Sequence, residues 1–338
     1  MDNYNLQLKQ IIKFVNGGNS DNVLIRTSQG KKVLKRYYWS LDSTLYEHSI
    51  LTYLAEKNFL CSRLTRNSNG LTYTQLNDGY CAIYDYISGY CCSDYIISPK
   101  IMRGLIEQAG RKLAQYHSLV LNFKITQGKK LNGFKPDGIR LWRDTAWHMN
   151  VLNQYLQKVT GKIGFEQCAN FLHQIENKLK IEYQTTEKYY TKSDPHLPKL
   201  VVHGDYKPKN VLFSEQKIAG ILDFGDANLN LRIVDVVRGL STFCKDTKTI
   251  LNFDYAKIFL GSYQEVQKLT QKELNAIPEL LKRWYLKSII WSLHAYLESH
   301  YNVKSREKHL KSIILKWQQA ILVKKLDYEL RSSLVGFM

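Results

Sequence analysis

Near the N-terminus the apolar positions come in short runs. IIKFV, NVLIRT and KKVLKRYY are rich in β-branched residues and are separated by NGGNSD and SQG, so they predict strands joined by tight turns. The period then lengthens: Glu47, Ile50, Leu51 and Leu54 fall at i, i+3, i+4 and i+7, predicting a helix over about 43–57 with Ser43 as N-cap and a carboxylate on its apolar face. CAIYDYISGY reads as a strand closed by Gly89. From about Lys100 the pattern is helical, with a stripe through Ile101, Leu105, Ala109, Leu113 and Tyr116 that ends near His117, read as a packing histidine. Further helices are predicted around 141–158, 164–182, 270–298 and 306–325. They contain Trp142, Trp147, Trp284, Trp291 and Trp317, expected to be core for the most part, with a few lining a cleft. Between these helical stretches the linker SDPHLPK delivers the chain into the strand-like runs VVHGD and NVLF, the polar turn SEQK and a third run, IAGILDF.

That last segment carries chemistry. Asp205 and Asn210 lie five residues apart in a proline-containing loop, HGDYKPKN, and Asp223 follows thirteen residues after Asn210. Antiparallel pairing of NVLF with IAGIL would return Asp223 to the side of Asp205 and Asn210, so three oxygen-bearing side chains converge. Such a set suits Mg²⁺, which takes hard oxygen ligands from one or two carboxylates plus substrate phosphates. A loop whose Asp and Asn only cap turns is the plainer alternative. Upstream, Lys35 shares a strand face with Val33, and Glu47 on the apolar helix face needs a partner because an unpaired buried charge is costly. Lys35 is the expected one. Gly17, Gly18, Asn19 and Ser20 form a turn of small residues that would let backbone amides approach phosphates, although a plain hairpin has the same sequence.

Composition narrows the class. The chain has 338 residues, 44% hydrophobic and 12% aromatic, enough for one large or two modest globular domains. Six cysteines, Cys61, Cys81, Cys91, Cys92, Cys168 and Cys244, show neither a C-x-x-C pair nor a zinc spacing, and reduced, mostly buried thiols are expected. The N-terminus lacks a signal-like apolar stretch, and no run approaches the roughly 18 apolar residues of a membrane span, so a cytoplasmic protein is expected. The net charge of +18 is spread along the chain, with concentrations at Lys304, Arg306, Lys308 and Lys311 and at Lys324 and Lys325. It is read as solvated helix faces, and no nucleic-acid partner is expected.

The loop HGDYKPKN and the following DFG resemble the eukaryotic-kinase-like superfamily. A protein kinase would continue with a long activation segment, an APE-like signature and D-x-W-S-x-G; here DFGDANLNLRIVDVV instead brings Asp235 twelve residues after Asp223. This looks like the aminoglycoside phosphotransferase and choline kinase group, within it the bacterial branch with homoserine-kinase-like and spore-coat-like members. The likeness is strong over 200–240, moderate over 11–89 and weak in the helical regions. It implies an α+β, protein-kinase-like two-lobed fold: a small β-rich N-terminal lobe, 1–88, that binds nucleotide, and a larger, mainly helical C-terminal lobe, 89–338, with the catalytic loop and acceptor site. It implies ATP and Mg²⁺ as cofactors, Asp205 as catalytic base, Asn210 and Asp223 as metal ligands, and Lys35 with Glu47 positioning the phosphates. By the same likeness the 17–20 turn and Lys207 contact phosphate, Asp85 or Ile87 contacts adenine, and His203 and Asp235 support the loop. Asp226 is left open between a further acid near the metal and a helix cap. The expected reaction is transfer of the γ-phosphoryl group of ATP to a hydroxyl of a small molecule, an antibiotic or metabolite. A Ser/Thr kinase of a biosynthetic peptide and a non-catalytic spore-coat-type homologue are the alternatives.

Overall fold

β-Branched alternation at the N-terminus is realised in full. In a computed structural model, described at residues 2–17, 20–38, 40–94, 97–126, 128, 145–187, 197–246, 251–298, 303–325, 328 and 331–332, β1 (Leu8–Gly17), β2 (Ser20–Thr27) and β3 (Gly30–Tyr37) run as an antiparallel meander. α1 (Leu41–Glu56) follows. β4 (Leu64–Thr65), β5 (Thr74–Leu76) and β6 (Gly79–Asp85) complete a six-stranded sheet of order β1-β2-β3-β6-β4, with β5 also on β6. Tyr4, Leu6 and Ile83 form a small core cluster against Leu34.

α1 starts earlier than its sequence predicts. Ser40, not Ser43, is the N-cap: its hydroxyl accepts from the Ser43 amide at 3.3 Å, while its carbonyl accepts from the Thr44 amide at 3.1 Å. At the other end Asn58 enters the left-handed region (φ 55°), its amide reaching Ala55 O at 3.1 Å and that of Phe59 reaching Leu54 O at 2.9 Å. These two bonds satisfy carbonyls of the last turn, and the buried Phe59 ring completes the stop. The face between these ends buries Ile50, Leu51 and Leu54 as the spacing predicts, together with Glu47 and His48.

The remaining elements are β7 (Tyr90–Cys91), α2 (Pro99–Val120), α3 (Thr145–Val159), α4 (Glu166–Glu187), β8 (Lys199–Val202), β9 (Val211–Ser214), β10 (Lys217–Ile221), β11 (Asn228–Leu231), α5 (Arg232–Phe243), α6 (Phe253–Gln264), α7 (Gln271–Glu298) and α8 (Val303–Lys325). The strands add a three-stranded sheet, β10-β9-β7, and a β11-β8 pair. The fold is thus an N-terminal antiparallel sheet followed by a larger helical part. α6 has no counterpart in the sequence prediction, and the first four residues of the helix expected over 141–158, with Trp142, lie outside the described residues. None of Trp147, Trp284, Trp291 and Trp317 belongs to the fully buried core, and Trp291 is 42% exposed. Large rings with a polar N–H pack at half-buried positions more readily than in a dry interior. All six cysteines are unpaired, four of them buried. No helix among the described residues is long and apolar enough to cross a membrane.

The chain divides into two compact units, Met1–Pro136 with Leu200–Leu229 and Ser262–Gln267, and Asp137–Lys199 with Asn230–Gly261 and Lys268–Met338. In the second, Thr270 caps α7 and Glu273 accepts the reciprocal bond: Glu273 N donates to Thr270 Oγ1 at 3.2 Å and Thr270 N to Glu273 Oε2 at 2.8 Å. The same carboxylate takes Arg232 in a two-toothed pair, Nε–Oε1 2.9 Å and Nη2–Oε2 2.5 Å, both residues being buried. Removing one partner of such a pair strands the other charge. Arg232→Met is therefore expected to cost about 3 kcal/mol, read as a lower urea or thermal midpoint, with part regained in the double variant carrying Glu273→Gln. An unchanged midpoint for the single variant would show the pair to be without net effect.

Candidate active site

The first unit brings the sequence-predicted acids and amide to one end of a hairpin. β9 and β10 pair antiparallel, Val211 with Ile221 and Ser214 with Lys217, and the turn between them places Glu215 and Gln216 at φ 49° and 62°. Two consecutive left-handed residues give the tight turn that matches strand twist. At the opposite end the loop 203–210 enters β9 and Asp223 leaves β10. Pro208 forces Lys207 to be extended (φ −153°, ψ 162°) and opens a single 3₁₀ turn, Pro208–Asn210, closed by Asn210 N to Lys207 O at 2.9 Å.

Asp205 and Asn210 are joined directly. Asn210 Nδ2 donates to the Asp205 carbonyl at 2.9 Å and to its Oδ2 at 3.1 Å, and Lys207 Nζ also pairs with Oδ2. Asn210 is buried, and its carbonyl accepts from Leu222 N at 2.8 Å, which ties the loop to the residue before Asp223. A second tie is His203: its Nδ1 accepts from the Asp205 amide at 3.3 Å and its Nε2–H donates to Leu222 O at 3.0 Å. Its ring, fully buried, lies 4.6 Å from that of Phe224. Asp223 itself sits at φ 64°, ψ 64°, a strained conformation that Asp tolerates better than most residues and that exposes its carboxylate. Gly204 (φ 81°) passes so close to the Asp226 backbone that a Cβ would collide with it, and Asn228 Nδ2 donates to Asp226 O at 2.8 Å. The Asp226 main chain is thus part of the loop's packing.

In the N-terminal sheet Lys35 and Glu47 form a buried ion pair, Nζ–Oε1 2.9 Å. Lys35 also stands over the rings of Tyr37 (4.6 Å) and Tyr84 (5.9 Å). Both phenols are raised well above their usual pKa, by burial first and then by the Glu47 charge, with Asp223 contributing to each. The Asp223 carboxylate is therefore within electrostatic reach of this cluster, and α1 packs on the Phe224–Asp226 turn. Lys35, Glu47, Asp205, Asn210 and Asp223 all belong to one unit.

The other predicted positions are more scattered. Gly17 and Ser20 face each other at the ends of β1 and β2, while Gly18 and Asn19 lie outside the described residues. Asp85 ends β6 with its carboxylate on Lys32 Nζ at 2.6 Å and its amide on Arg63 O at 2.9 Å, so both groups are engaged within the sheet region. Ile87 packs over Gly220, where a Cβ would come within 2.5 Å of its Cδ1. Asp235 is buried in the first turn of α5, a favourable end for an acid, and belongs to the second unit. His117 is a packing histidine: its Nδ1 hydrogen-bonds Tyr263 Oη at 2.8 Å in a buried setting.

Sequence reasoning overlooked Tyr37, His48, Thr72 and Tyr84. Two signals were present: Tyr37 shares Lys35's strand face by the period of two, and His48 adjoins Glu47 in a helix with an apolar face. As for metal, Asn210 and Asp223 are hard oxygen donors beside Asp205, while no group of three or more His, Cys, Asp or Glu suited to a metal occurs among the described residues. That donor set fits an Mg²⁺ whose remaining ligands are waters and phosphates.

An antiparallel sheet with a buried Lys–Glu pair, followed by a loop and hairpin presenting Asp, Asn and Asp, is the arrangement of the protein-kinase-like phosphotransferases. The model of the phosphotransferase enzyme family matches residues 11–269, and the chain belongs to that family, as a small-molecule phosphotransferase acting on a hydroxyl. A homoserine kinase of Sinorhizobium fredii is 22% identical over 285 residues, 83% of this chain and 78% of that protein. Spectinomycin phosphotransferase, solved with ADP and spectinomycin, matches with a TM-score of 0.62 at 16% identity over 94% of each chain. An amicoumacin kinase solved with AMP-PNP and Ca²⁺ gives 0.63 at 14% identity, over 91% of this chain and 90% of that one.

The buried cluster has a pH signature. Burial, and then the Lys35 charge, push the His48 imidazole down to about 3, so the folded chain holds it neutral. The unfolded chain protonates it near 6.5. Unfolded protein therefore binds more protons between these values, and stability falls as pH drops from about 6.5 toward about 3. His48→Gln is expected to flatten that part of a urea-midpoint-against-pH curve; an identical slope in both proteins would show that His48 does not contribute.

Proposed function

We propose that this chain transfers the γ-phosphoryl group of ATP to the hydroxyl of a small, carboxylate-bearing metabolite of the homoserine type. The observation that carries the transfer reaction is the Asp205–Asn210 loop stitched through His203 and Leu222 to Asp223, in the same unit as the Lys35–Glu47 pair. Asp205 takes the acceptor's proton as the new O–P bond forms and the bond from the γ-phosphorus to the bridging oxygen breaks, releasing ADP. The hydrogen bond from Asn210 holds one carboxylate oxygen, which orients the base; the Lys207 ammonium shares that oxygen only while no nucleotide is bound. Lys35 holds the phosphates, aligned by Glu47, and Lys207 moves onto phosphate when nucleotide is bound. Mg²⁺ would be held by Asn210 and Asp223 and supplies charge neutralisation at the phosphates. The protein's contribution is positioning and electrostatics, the usual division of labour in phosphoryl transfer. Residues 1–88 serve as the nucleotide-binding lobe, with Gly17–Ser20 and the Asp85–Ile87 stretch beside the nucleotide. Unpaired cysteines are in keeping with a cytoplasmic setting.

Net charge supports the acceptor class: at +18 the chain repels a polycationic antibiotic and attracts a carboxylate. The homoserine kinase likeness points the same way.

Asp205→Ala should lower kcat by about 10³-fold or more while leaving ATP affinity within about twofold, measured by calorimetry and ADP release. Turnover near the wild-type rate would remove Asp205 from the role of base. L-Homoserine should be phosphorylated, and 3-aminopropan-1-ol, the same molecule without its carboxylate, should be a poorer acceptor by at least about tenfold in kcat/KM. Preference for spectinomycin or for the amino alcohol would overturn the acceptor class and leave the transfer reaction standing.

A further inference from the structure

Glu47 reaches Lys35 through one oxygen. Its Oε1 takes the ammonium at 2.9 Å, whereas Oε2 is buried without a hydrogen-bond partner. That contact fixes the distance between the two charges, and the groups packed around the ammonium share in setting its direction.

Two aromatic rings are placed to do so. Lys35 Nζ lies 4.6 Å from the centroid of Tyr37 and 5.9 Å from that of Tyr84, within the range at which a ring face attracts a cation. Those rings are held in turn. Their hydroxyls hydrogen-bond each other, and His48 Nε2 lies 3.3 Å from Tyr37 Oη and 3.2 Å from Tyr84 Oη. The imidazole meets both rings edge-on, with centroids 5.7 and 6.1 Å away at interplanar angles of 69° and 80°. Its other nitrogen, Nδ1, is 2.8 Å from Thr72 Oγ1. With Nδ1–H donating to threonine, Nε2 accepts one phenolic proton and the other phenol donates to its neighbour. Every member of the chain is then satisfied by hydrogen bonds in a buried setting where an unmet polar group would be costly. All these residues are nine-tenths buried or more.

The placement along the chain makes the cluster a bridge. Lys35 and Tyr37 are on β3, Tyr84 is on β6, Glu47 and His48 are on α1, and Thr72 precedes β5. β3 and β6 are neighbours in register, Lys35 opposite Ala82 and Val33 opposite Tyr84. The hydrogen bonds of His48 thus reach two strands and the segment before a third, while the adjoining Glu47 holds the lysine.

We propose that Tyr37, Tyr84, His48 and Thr72 are positioning residues for Lys35, an aromatic seat locked by hydrogen bonds that aims the ammonium at the nucleotide phosphates. This rests on the reading of Lys35 as a phosphate-holding group. None of the four touches the reacting atoms; they act through the lysine.

The test compares binding of ATP with binding of adenosine, which lacks phosphates, by calorimetry on the full chain with Mg²⁺. The affinity ratio isolates what Lys35 contributes. Lys35→Ala should lower the ratio at least about thirtyfold. Tyr37→Leu should lower it about tenfold with adenosine affinity within about twofold of wild type, and Tyr37→Phe, which keeps the ring, should regain most of that loss. Thr72→Val, remote from the ion pair, should lower it about threefold. A merely structural role would lower the melting temperature in all of these and leave the ratio unchanged. If Lys35→Ala lowers the ratio and neither Tyr37→Leu nor Thr72→Val does, the positioning role is wrong. If Lys35→Ala itself leaves the ratio intact, the phosphate-holding reading of Lys35 has failed instead. Should Tyr37→Leu not fold, Tyr37→Phe and Thr72→Val decide, with unchanged ratios in both refuting the proposal.

Discussion

The imidazole of His203 accepts from one segment and donates to another, and the candidate site depends on that pair of bonds. Its Nδ1 holds the amide of Asp205, and its Nε2–H holds the carbonyl of Leu222, the residue before Asp223. A buried ring cannot make both bonds unless it is neutral and in one tautomer, with Nε2 protonated. The aromatic surroundings, Tyr116, Tyr206 and Phe224, exclude water from the ring and hold it in place. Loop and hairpin are thereby fastened to each other before any ligand arrives. The left-handed turn at Asp223 is held from the same direction, because Leu222 is bonded on one side to His203 and on the other to Asn210.

Buried charge is handled in contrasting ways in the two units. In the unit of the N-terminal sheet, Lys35 and Glu47 meet through a single oxygen and are surrounded by rings and a neutral histidine. In the other unit, Arg232 and Glu273 meet through two hydrogen bonds, and the carboxylate also caps a helix. The second arrangement saturates the carboxylate. The first leaves one carboxylate oxygen without a hydrogen-bond partner and sets the ammonium beside two ring faces.

The strongly basic composition looks different once the helices are placed. Part of the positive charge is internal to the helical unit: Lys282 pairs with Glu182 and Glu279 in a nearly buried setting, with Lys324 on the same Glu182. Arg238, Lys287 and Lys316 gather around the faces of Trp284 and Tyr285. Among the tryptophans, Trp284 meets two of these cations on its ring.

Much of this was legible in the chain itself. Alternation predicts the β1–β3 meander, and the spacing of Glu47, Ile50, Leu51 and Leu54 predicts the buried face of α1, because these periods reflect local geometry. The motif HGDYKPKN with DFG predicts a hairpin that returns one acid beside another, since SEQK is a turn and the flanking runs are short. Less accessible were Ser40 as the cap of α1, the helix at Phe253–Gln264, and the half-buried tryptophans, each decided by what packs against the segment rather than by the segment. The seat around Lys35 shows the limit most clearly. A buried carboxylate that needs a lysine can be inferred from two periodicities, but Tyr37, His48, Thr72 and Tyr84 are 11 to 47 residues apart in their bonded pairs. Their meeting depends on strand order β3-β6 and on the angle at which α1 lies, and neither is encoded in any window of sequence. The sequence alone determined which chemical groups were available; the tertiary structure decided which of them share a buried space, because hydrogen bonds and ring faces act only at contact distance.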